Sequence, residues 1–280
     1  MENIKKAISV LNNGGIVIFP TDTAYGIGCR IDDENAVKKL FALRRRPETQ
    51  ATPVLVDSIE MAEKYFVTPL PDNVRRLMKK YWPGGLTIVY PCKTESVPSL
   101  VRGGGNNLGI RMPDNKTVLS MIKKLGVPIL GPSANFHGNK TPYKHEDLDP
   151  ELLKSVDYVI KGECNKKQSS TVIDCSVSPW KILRVGAVKL VTLSIDTTDN
   201  KKIILTLTVK NNKIIVSNKI ESWASQLLLP MIDTLLVKHK VSLSDLDLIT
   251  VKTGEGSYTG IRVGVTVAKT LGWLLNIPVD

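Results

Sequence analysis

Aromatic residues make up only 5% of this 280-residue chain, and it holds just four cysteines and three histidines. So few rings leave little to build a base-stacking nucleic-acid platform. The cysteines, at positions 29, 92, 164 and 175, form no C-x-x-C pair, and no histidine stands at ligand spacing from them. This argues against a zinc site or a disulfide scaffold and leaves buried thiols as the reading. No apolar run reaches the roughly 18 residues that a membrane span needs. No signal-peptide core follows the polar start Met1-Glu2-Asn3, so a cytoplasmic protein without a membrane anchor is expected. There is no low-complexity tract, short-period repeat, Walker loop, Ser/His/Asp order or nucleophile elbow.

What remains is a globular composition, 42% hydrophobic and 23% charged, with 38 Lys and Arg against 27 Asp and Glu. The net charge of +11 suits a phosphate-rich partner, a nucleotide or an RNA. Residues 1–187 carry 27 of the basic and 19 of the acidic residues, and 188–280 carry the other 11 and 8.

The first stretch alternates helical and strand patterns. Helices are predicted over 3–12, 34–45, 72–80 and 117–125. Strands are predicted over 16–19, 54–56, 86–90, 108–112, 128–130, 158–161, 171–174 and 182–185. This is an α/β domain with a twisted mixed sheet. The pattern restarts after Gly186-Ala187. Strands over 190–195, 203–209, 213–219 and 246–251 are expected, with a hairpin turn at Asn211-Asn212. Helices are expected over 225–238 and from about Ile261 to Leu275.

Polar residues gather where predicted strands end. Pro20-Thr21-Asp22-Thr23 follows the first strand and puts two hydroxyls on one side; the plainer account is a turn cap. Arg44-Arg45-Arg46-Pro47 closes a helix, where cations complement the dipole, yet three guanidiniums also suit phosphate. Ser133-Ala134-Asn135, Ser169-Ser170-Thr171 and Arg184-Val185-Gly186 repeat the theme. Such a set of hydroxyls and arginines binds an anionic, hydroxylated ligand and works by holding reactants and offsetting charge. In the second stretch, the Gly-rich run 253–260 before a helix resembles an anion site, but Glu255 stands where phosphate would lie, which favours a close-packed strand-to-helix connection.

Across residues 3–187 these motifs resemble the YrdC-like L-threonylcarbamoyladenylate synthases of the TsaC type. The resemblance rests on Gly14-Gly15, Pro20-Thr21-Asp22-Thr23 with Tyr25-Gly26, Arg44-x-Arg46-Pro47 and Trp82-Pro83-Gly84. It continues through Gly109-Ile110-Arg111-Met112-Pro113, Ser133-Ala134-Asn135, Ser170-Thr171-Val172 and Arg184-Val185-Gly186. It implies a twisted sheet around a basic cavity that joins L-threonine, bicarbonate and ATP, with Mg²⁺, into threonylcarbamoyl-AMP and pyrophosphate. That product serves adenosine modification beside the tRNA anticodon. By position, Thr23, Arg111, Gly131 and Ser170 would border threonine. Arg46, Thr52, Asn107, Ser133, Asn135, Thr141 and Arg184 would contact ATP, with Arg46 and Arg44 as the catalytic cations. The family usually has Lys at the Arg44 position, Thr at Asn107 and, in some members, His at Asp57, and the stretch 48–52 is longer than usual.

Residues 188–280 resemble the first lobe of TsaB, a catalytically silent relative of the actin/Hsp70-like ATPases. The matching residues are Leu193-Ser194-Ile195-Asp196-Thr197, Leu228-Leu229-Pro230-Met231-Ile232 and the run 254–264, though Pro is usual where Glu255 stands. The resemblance implies docking to a TsaD-like transferase or to a second TsaB-like domain, with direct tRNA contact left open. Two other readings compete: a non-enzymatic RNA-binding regulator that uses the basic cavity, and a carbamoyl-adenylate former of hydrogenase maturation.

Overall fold

The structure, a computed structural model, describes residues 2–178, 180–210, 212–219 and 224–279, Ala224 by its backbone alone. The chain divides into two compact units, Met1–Val177 with Lys181–Val188, and Ser178–Trp180 with Lys189–Asp280.

In the first unit, helix α1 (Glu2–Asn12) buries Ala7 and Leu11, one turn apart, and leads to strand β1 (Val17–Pro20). All four residues of β1 are buried, as an apolar run covered on both faces should be. It turns back into β2 (Tyr25–Gly28), a strand hidden from pattern reading by its two glycines. Helix α2 (Glu34–Leu43) starts where the Asp33 carboxylate accepts the Ala36 N–H at 3.0 Å. It buries Ala36, Val37, Leu40 and Phe41, the spacing of one helical face. It stops at Leu43, two residues short of expectation, and leaves Arg44, Arg45 and Arg46 in the turn.

Then come β3 (Val54–Leu55), helix α3 (Ile59–Tyr65), helix α4 (Asp72–Tyr81), β4 (Leu86–Pro91) and β5 (Asn107–Arg111). Helix α5 (Lys116–Leu125), β6 (Ile129–Leu130), helix α6 (Pro150–Lys154), β7 (Tyr158–Val159), β8 (Thr171–Asp174) and β9 (Lys181–Arg184) complete the unit. Six strands pair in the order β6-β3-β5-β4-β8-β9, and three in the order β2-β1-β7. Both sheets mix parallel and antiparallel pairs. Single bridges Gly26↔Ser133 and Arg30↔Ile129 join the free edge of β2 to β6, so the two sheets curve round as one. Here a glycine is required: a side chain at Gly28 would put its Cβ 2.0 Å from the Leu130 carbonyl oxygen. The curve turns the ends of β1, β3, β5 and β8 toward a common hollow.

The second unit has strands β10 (Thr192–Asp196), β11 (Lys202–Val209), β12 (Asn212–Lys219) and β13 (Leu248–Val251) in the order β12-β11-β10-β13. The β11–β12 hairpin forms as expected, although Asn211 of its turn lies outside the described residues. Helices α7 (Ala224–Lys238) and α8 (Tyr258–Leu275) cover the sheet. Ile203, Leu205 and Leu207 of β11 alternate into a core with Leu228, Ile232 and Leu235 of α7. Helix α8 begins at Tyr258, before the expected Ile261, because the Ser257 hydroxyl accepts the Gly260 N–H at 3.1 Å. That cap occupies the helix N-terminus, in keeping with a structural role for the Gly-rich run.

Candidate active site

Beyond β1 the chain makes a tight turn rather than continuing extended. The Thr21 hydroxyl donates to the Ala24 carbonyl at 2.7 Å and lies 3.1 Å from the Thr23 hydroxyl. Both threonines are buried and line the hollow. At the end of β5, Arg111 is buried, with Nε donating to the Gly84 carbonyl at 2.9 Å and Nη1 to Thr23 Oγ1 at 2.6 Å. Its Nη2 donates to Asp22 Oδ1, and Lys166 Nζ meets the other oxygen, Oδ2, at 3.0 Å.

A second wall comes from the arginine run. Arg44 is 3% exposed; its Nε donates to the Asn135 carbonyl at 3.0 Å, while Nη1 is buried without a hydrogen-bond partner. Arg45 takes a left-handed backbone, φ 54°, and turns outward to Phe136 and Glu151. This reversal returns Arg46 to the hollow, where Nε donates to the Gln50 carbonyl at 3.1 Å and Nη2 to the Ala51 carbonyl. A third wall is β8 with its neighbour β9. Arg184 donates from Nε to the Ser170 carbonyl and from Nη2 to the Ser170 hydroxyl, each at 2.9 Å, and that hydroxyl lies 2.9 Å from Thr87 Oγ1.

The hollow has a cavity volume of about 150 Å³. Of the residues singled out from sequence, Thr23, Arg44, Arg46, Arg111, Gly131, Ser133, Thr141, Ser170 and Arg184 all line it. Three others do not. Pro53 and Leu55 face the hollow, so alternation along the extended run turns Thr52 away, and its buried hydroxyl finds no partner. Asn107 opens β5, four residues and roughly 13 Å along the strand from Arg111. Its amide donates instead to Ser176 Oγ at 2.9 Å. Asn135 stands behind the wall: its Oδ1 accepts from the Ser133 hydroxyl at 2.6 Å and its Nδ2 donates to the Asn139 carbonyl at 2.5 Å. It supports Arg44 and Ser133 and does not line the hollow. Ser169, noted beside Ser170 in the sequence, lines the hollow too, whereas sequence reasoning missed Thr87 and Lys166; a hydroxyl at Thr87 inside the apolar run 86–89 was the available signal.

Burial holds the guanidiniums of Arg44, Arg46, Arg111 and Arg184 below their ordinary pKa. Arg44 is pushed down to about 10, by burial first and by the charge of Arg46 second. For Arg44, Arg46 and Arg184 the lowered value marks a cation whose charge is poorly solvated, so an incoming anion is attracted strongly, whereas the charge of Arg111 is offset by Asp22. Mg²⁺ takes carboxylates and phosphate oxygens. Hydroxyls, guanidiniums and carbonyls make up the lining, and the adjoining Asp22 carboxylate is paired with Arg111 and Lys166. Among the described residues no cluster of three His, Cys, Asp or Glu could hold a metal. These residues do not fit a Mg²⁺ held by the protein.

Residues 9–186 match the Sua5/YciO/YrdC family model, described as telomere recombination. The chain belongs to that family. Residues 216–279 match the TsaD family model, described as tRNA N6-adenosine threonylcarbamoyltransferase. The threonylcarbamoyl-AMP synthase of Bacillus subtilis is 35% identical over 190 residues, 66% of this chain and 54% of the relative. An uncharacterized protein of Escherichia coli, YciO, is 30% identical over 186 residues, 65% of this chain and 88% of the relative. The crystal structure of Pyrococcus abyssi Sua5 complexed with L-threonine superposes with a TM-score of 0.63 at 24% identity, covering 99% of this chain and 87% of that one. At that identity the likeness shows the fold. The chain spans about half the length of the Bacillus subtilis and Pyrococcus abyssi synthases it matches. Among the described residues, no helix of this Sua5/YciO/YrdC protein is long and apolar enough to cross a membrane.

Proposed function

We propose that the first unit is a threonylcarbamoyl-AMP synthase. One observation carries this reading: Thr23, Arg46, Arg111, Ser133, Ser170 and Arg184, from six separate stretches of sequence, line a single hollow. The likeness to named synthases supports it. In this reading the end holding Arg111, Thr23 and Ser170 receives L-threonine, and Arg44, Arg46 and Arg184 receive the triphosphate of ATP. The threonine amine takes up bicarbonate with loss of water, giving a carbamate. A carbamate oxygen then attacks the α-phosphorus and pyrophosphate leaves. Charge develops on the bridging and pyrophosphate oxygens, where fixed guanidiniums stabilise it without reorganisation. The unpartnered Nη1 of Arg44 suits this task because it has no bond to give up. Any Mg²⁺ arrives with the nucleotide, as part of the substrate. Holding amine, carbonate and phosphate in one hollow supplies the rest of the acceleration by proximity.

The second unit, in this reading, is the first lobe of an actin/Hsp70-like fold that docks to a TsaD-type transferase. Its match to the TsaD model supports kinship with that machinery. Leu229, Val237, Tyr258 and Trp273 offer exposed apolar surface on its two helices. Docking would raise the effective concentration of a labile adenylate near its consumer.

The test is pyrophosphate release by the purified chain with ATP, bicarbonate and Mg²⁺, with and without L-threonine. Threonine-dependent release supports the reading, and release indifferent to threonine, or none, rejects it. Salt-sensitive RNA binding without adenylate formation would favour the regulator instead.

A further inference from the structure

The floor of the hollow has a charge problem. Arg111 is the residue placed to receive a carboxylate, yet its guanidinium is committed to Asp22. Both side chains are buried, at 7% and 2% exposure. A buried guanidinium–carboxylate pair is neutral overall, and a neutral floor gives an incoming carboxylate no net attraction to offset its lost hydration. Arg111 has five N–H donors, and three are spent on Gly84, Thr23 and Asp22. Donors remain for a ligand; net charge does not.

Lys166 resolves this. Its backbone N–H donates to the Asp22 carbonyl at 2.8 Å and its Nζ meets Asp22 Oδ2 at 3.0 Å. One residue therefore clasps Asp22 by main chain and side chain together. The segment bearing it is fixed independently, because the Tyr25 hydroxyl donates to the Gly162 carbonyl at 2.5 Å and accepts the Gly162 N–H at 3.0 Å. Farther along, Ser169 and Ser170 of the same segment line the hollow. Arg111, Asp22 and Lys166 then sum to one positive charge. The lysine side chain is 37% exposed, at the solvent side of the trio, while Arg111 is at the buried side.

We infer that Lys166 is a positioning residue for substrate carboxylate recognition: it takes up the charge of Asp22 and so leaves Arg111 free to attract the carboxylate of an amino acid. This deepens the synthase reading and rests on it. The ion pair also explains why a lysine is useful at a site where backbone bonds alone would hold the segment.

The experiment is calorimetric titration of the full chain with L-threonine, with L-threoninol, which lacks the carboxylate, and with ATP. Lys166→Met should weaken L-threonine about tenfold, the size expected for one partly screened charge several ångströms away. Affinity for L-threoninol and for ATP should stay within about twofold, and Lys166→Arg should restore L-threonine binding. Lys166→Gln, shorter and neutral, should behave as Lys166→Met does, and thermal melting checks that each variant is folded. Equal losses for L-threonine and L-threoninol would show a merely structural clasp and overturn the inference. So would unchanged L-threonine affinity, or failure of arginine to rescue. If the unmodified chain binds neither L-threonine nor L-threoninol, the synthase reading itself fails and takes the inference with it.

Discussion

Asn135 aims Arg44: the Arg44 Nε donates to the Asn135 carbonyl at 3.0 Å, and Nη2 lies 3.4 Å from the Asn135 Oδ1. The same Oδ1 accepts from Ser133, so one amide fixes a cation and a hydroxyl on the same wall. The family's usual lysine could not make this planar, two-point contact. The arginine here and the Ser-x-Asn motif therefore form one device.

Asn135→Ala keeps the carbonyl but removes every side-chain bond. With a buried guanidinium left loose, stability should drop by about 1–3 kcal/mol. On the synthase reading, misplacing Arg44 by an ångström should lower kcat/KM for ATP about a hundredfold. Pyrophosphate release at varied ATP measures it. Arg44→Ala added to Asn135→Ala should cost little more than Arg44→Ala alone, because the two act as a unit. Full additivity would refute the coupling.

Gly131 lines the hollow, and a Cβ there would come 2.3 Å from Leu55 Cγ. Both residues lie on short, paired strands or at their ends, so neither can retreat far. Gly131→Ala should destabilise the first unit by about 1–3 kcal/mol and push Leu55 into the hollow. Urea denaturation gives the first number. Reduced L-threonine affinity with ATP affinity retained gives the second.

Much of this site could be read from the chain, and what escaped did so for physical reasons. The buried run Val17–Pro20 announces itself through uninterrupted apolar residues. Tyr25–Gly28 does not, because glycines that let strands approach closely also look like loop. Helix Ile59–Tyr65 is only seven residues long, too short for its period to register. Adjacent arginines are indistinguishable in sequence, yet the left-handed turn at Arg45 sends its neighbours one way and Arg45 the other. Thr52 matches a polar position of the family loosely and Asn107 replaces its usual Thr, and strand alternation and strand length carry both out of the hollow. Lys166 left no signal, since a Lys-Lys pair in a polar stretch is ordinarily solvated.

Cys29 offers a pH test. Burial first, then the nearby carboxylates of Asp33 and Asp32, push its thiol up to about 12. The unfolded thiol ionises near 8.5. Below that pH both states keep the proton and Cys29 contributes fully. Above it the unfolded chain gains thiolate while the folded chain does not, so stability falls until pH reaches the folded value. The slope from this group is about 1.4 kcal/mol per pH unit. Urea denaturation of the natural chain and of Cys29→Ala at pH 8 and pH 10.5 isolates it. The difference between them should shift by about 2.5 kcal/mol in favour of the alanine variant at the higher pH. A constant difference would show that Cys29 ionises in the folded state as readily as in the unfolded.

The second unit carries a separate test at Thr197. This residue, just beyond β10, is fully buried, and its hydroxyl has no hydrogen-bond partner. It faces α8 at Gly264, where a Cβ would come 2.3 Å from that same hydroxyl oxygen. Glycine there lets helix and strand end approach closely. An unpaired buried hydroxyl costs about 1–3 kcal/mol relative to water. Valine has nearly the same shape and lacks the polar atom. Thr197→Val should therefore stabilise the second unit by about 1 kcal/mol, whereas Gly264→Ala should destabilise it by forcing helix and strand apart. Thermal or urea unfolding, followed by hydrogen exchange at amides of α8 and β10, reads both effects in the unit concerned. Loss of stability in Thr197→Val would mean that the hydroxyl is satisfied after all, and that the close approach of α8 is held by it rather than merely tolerating it.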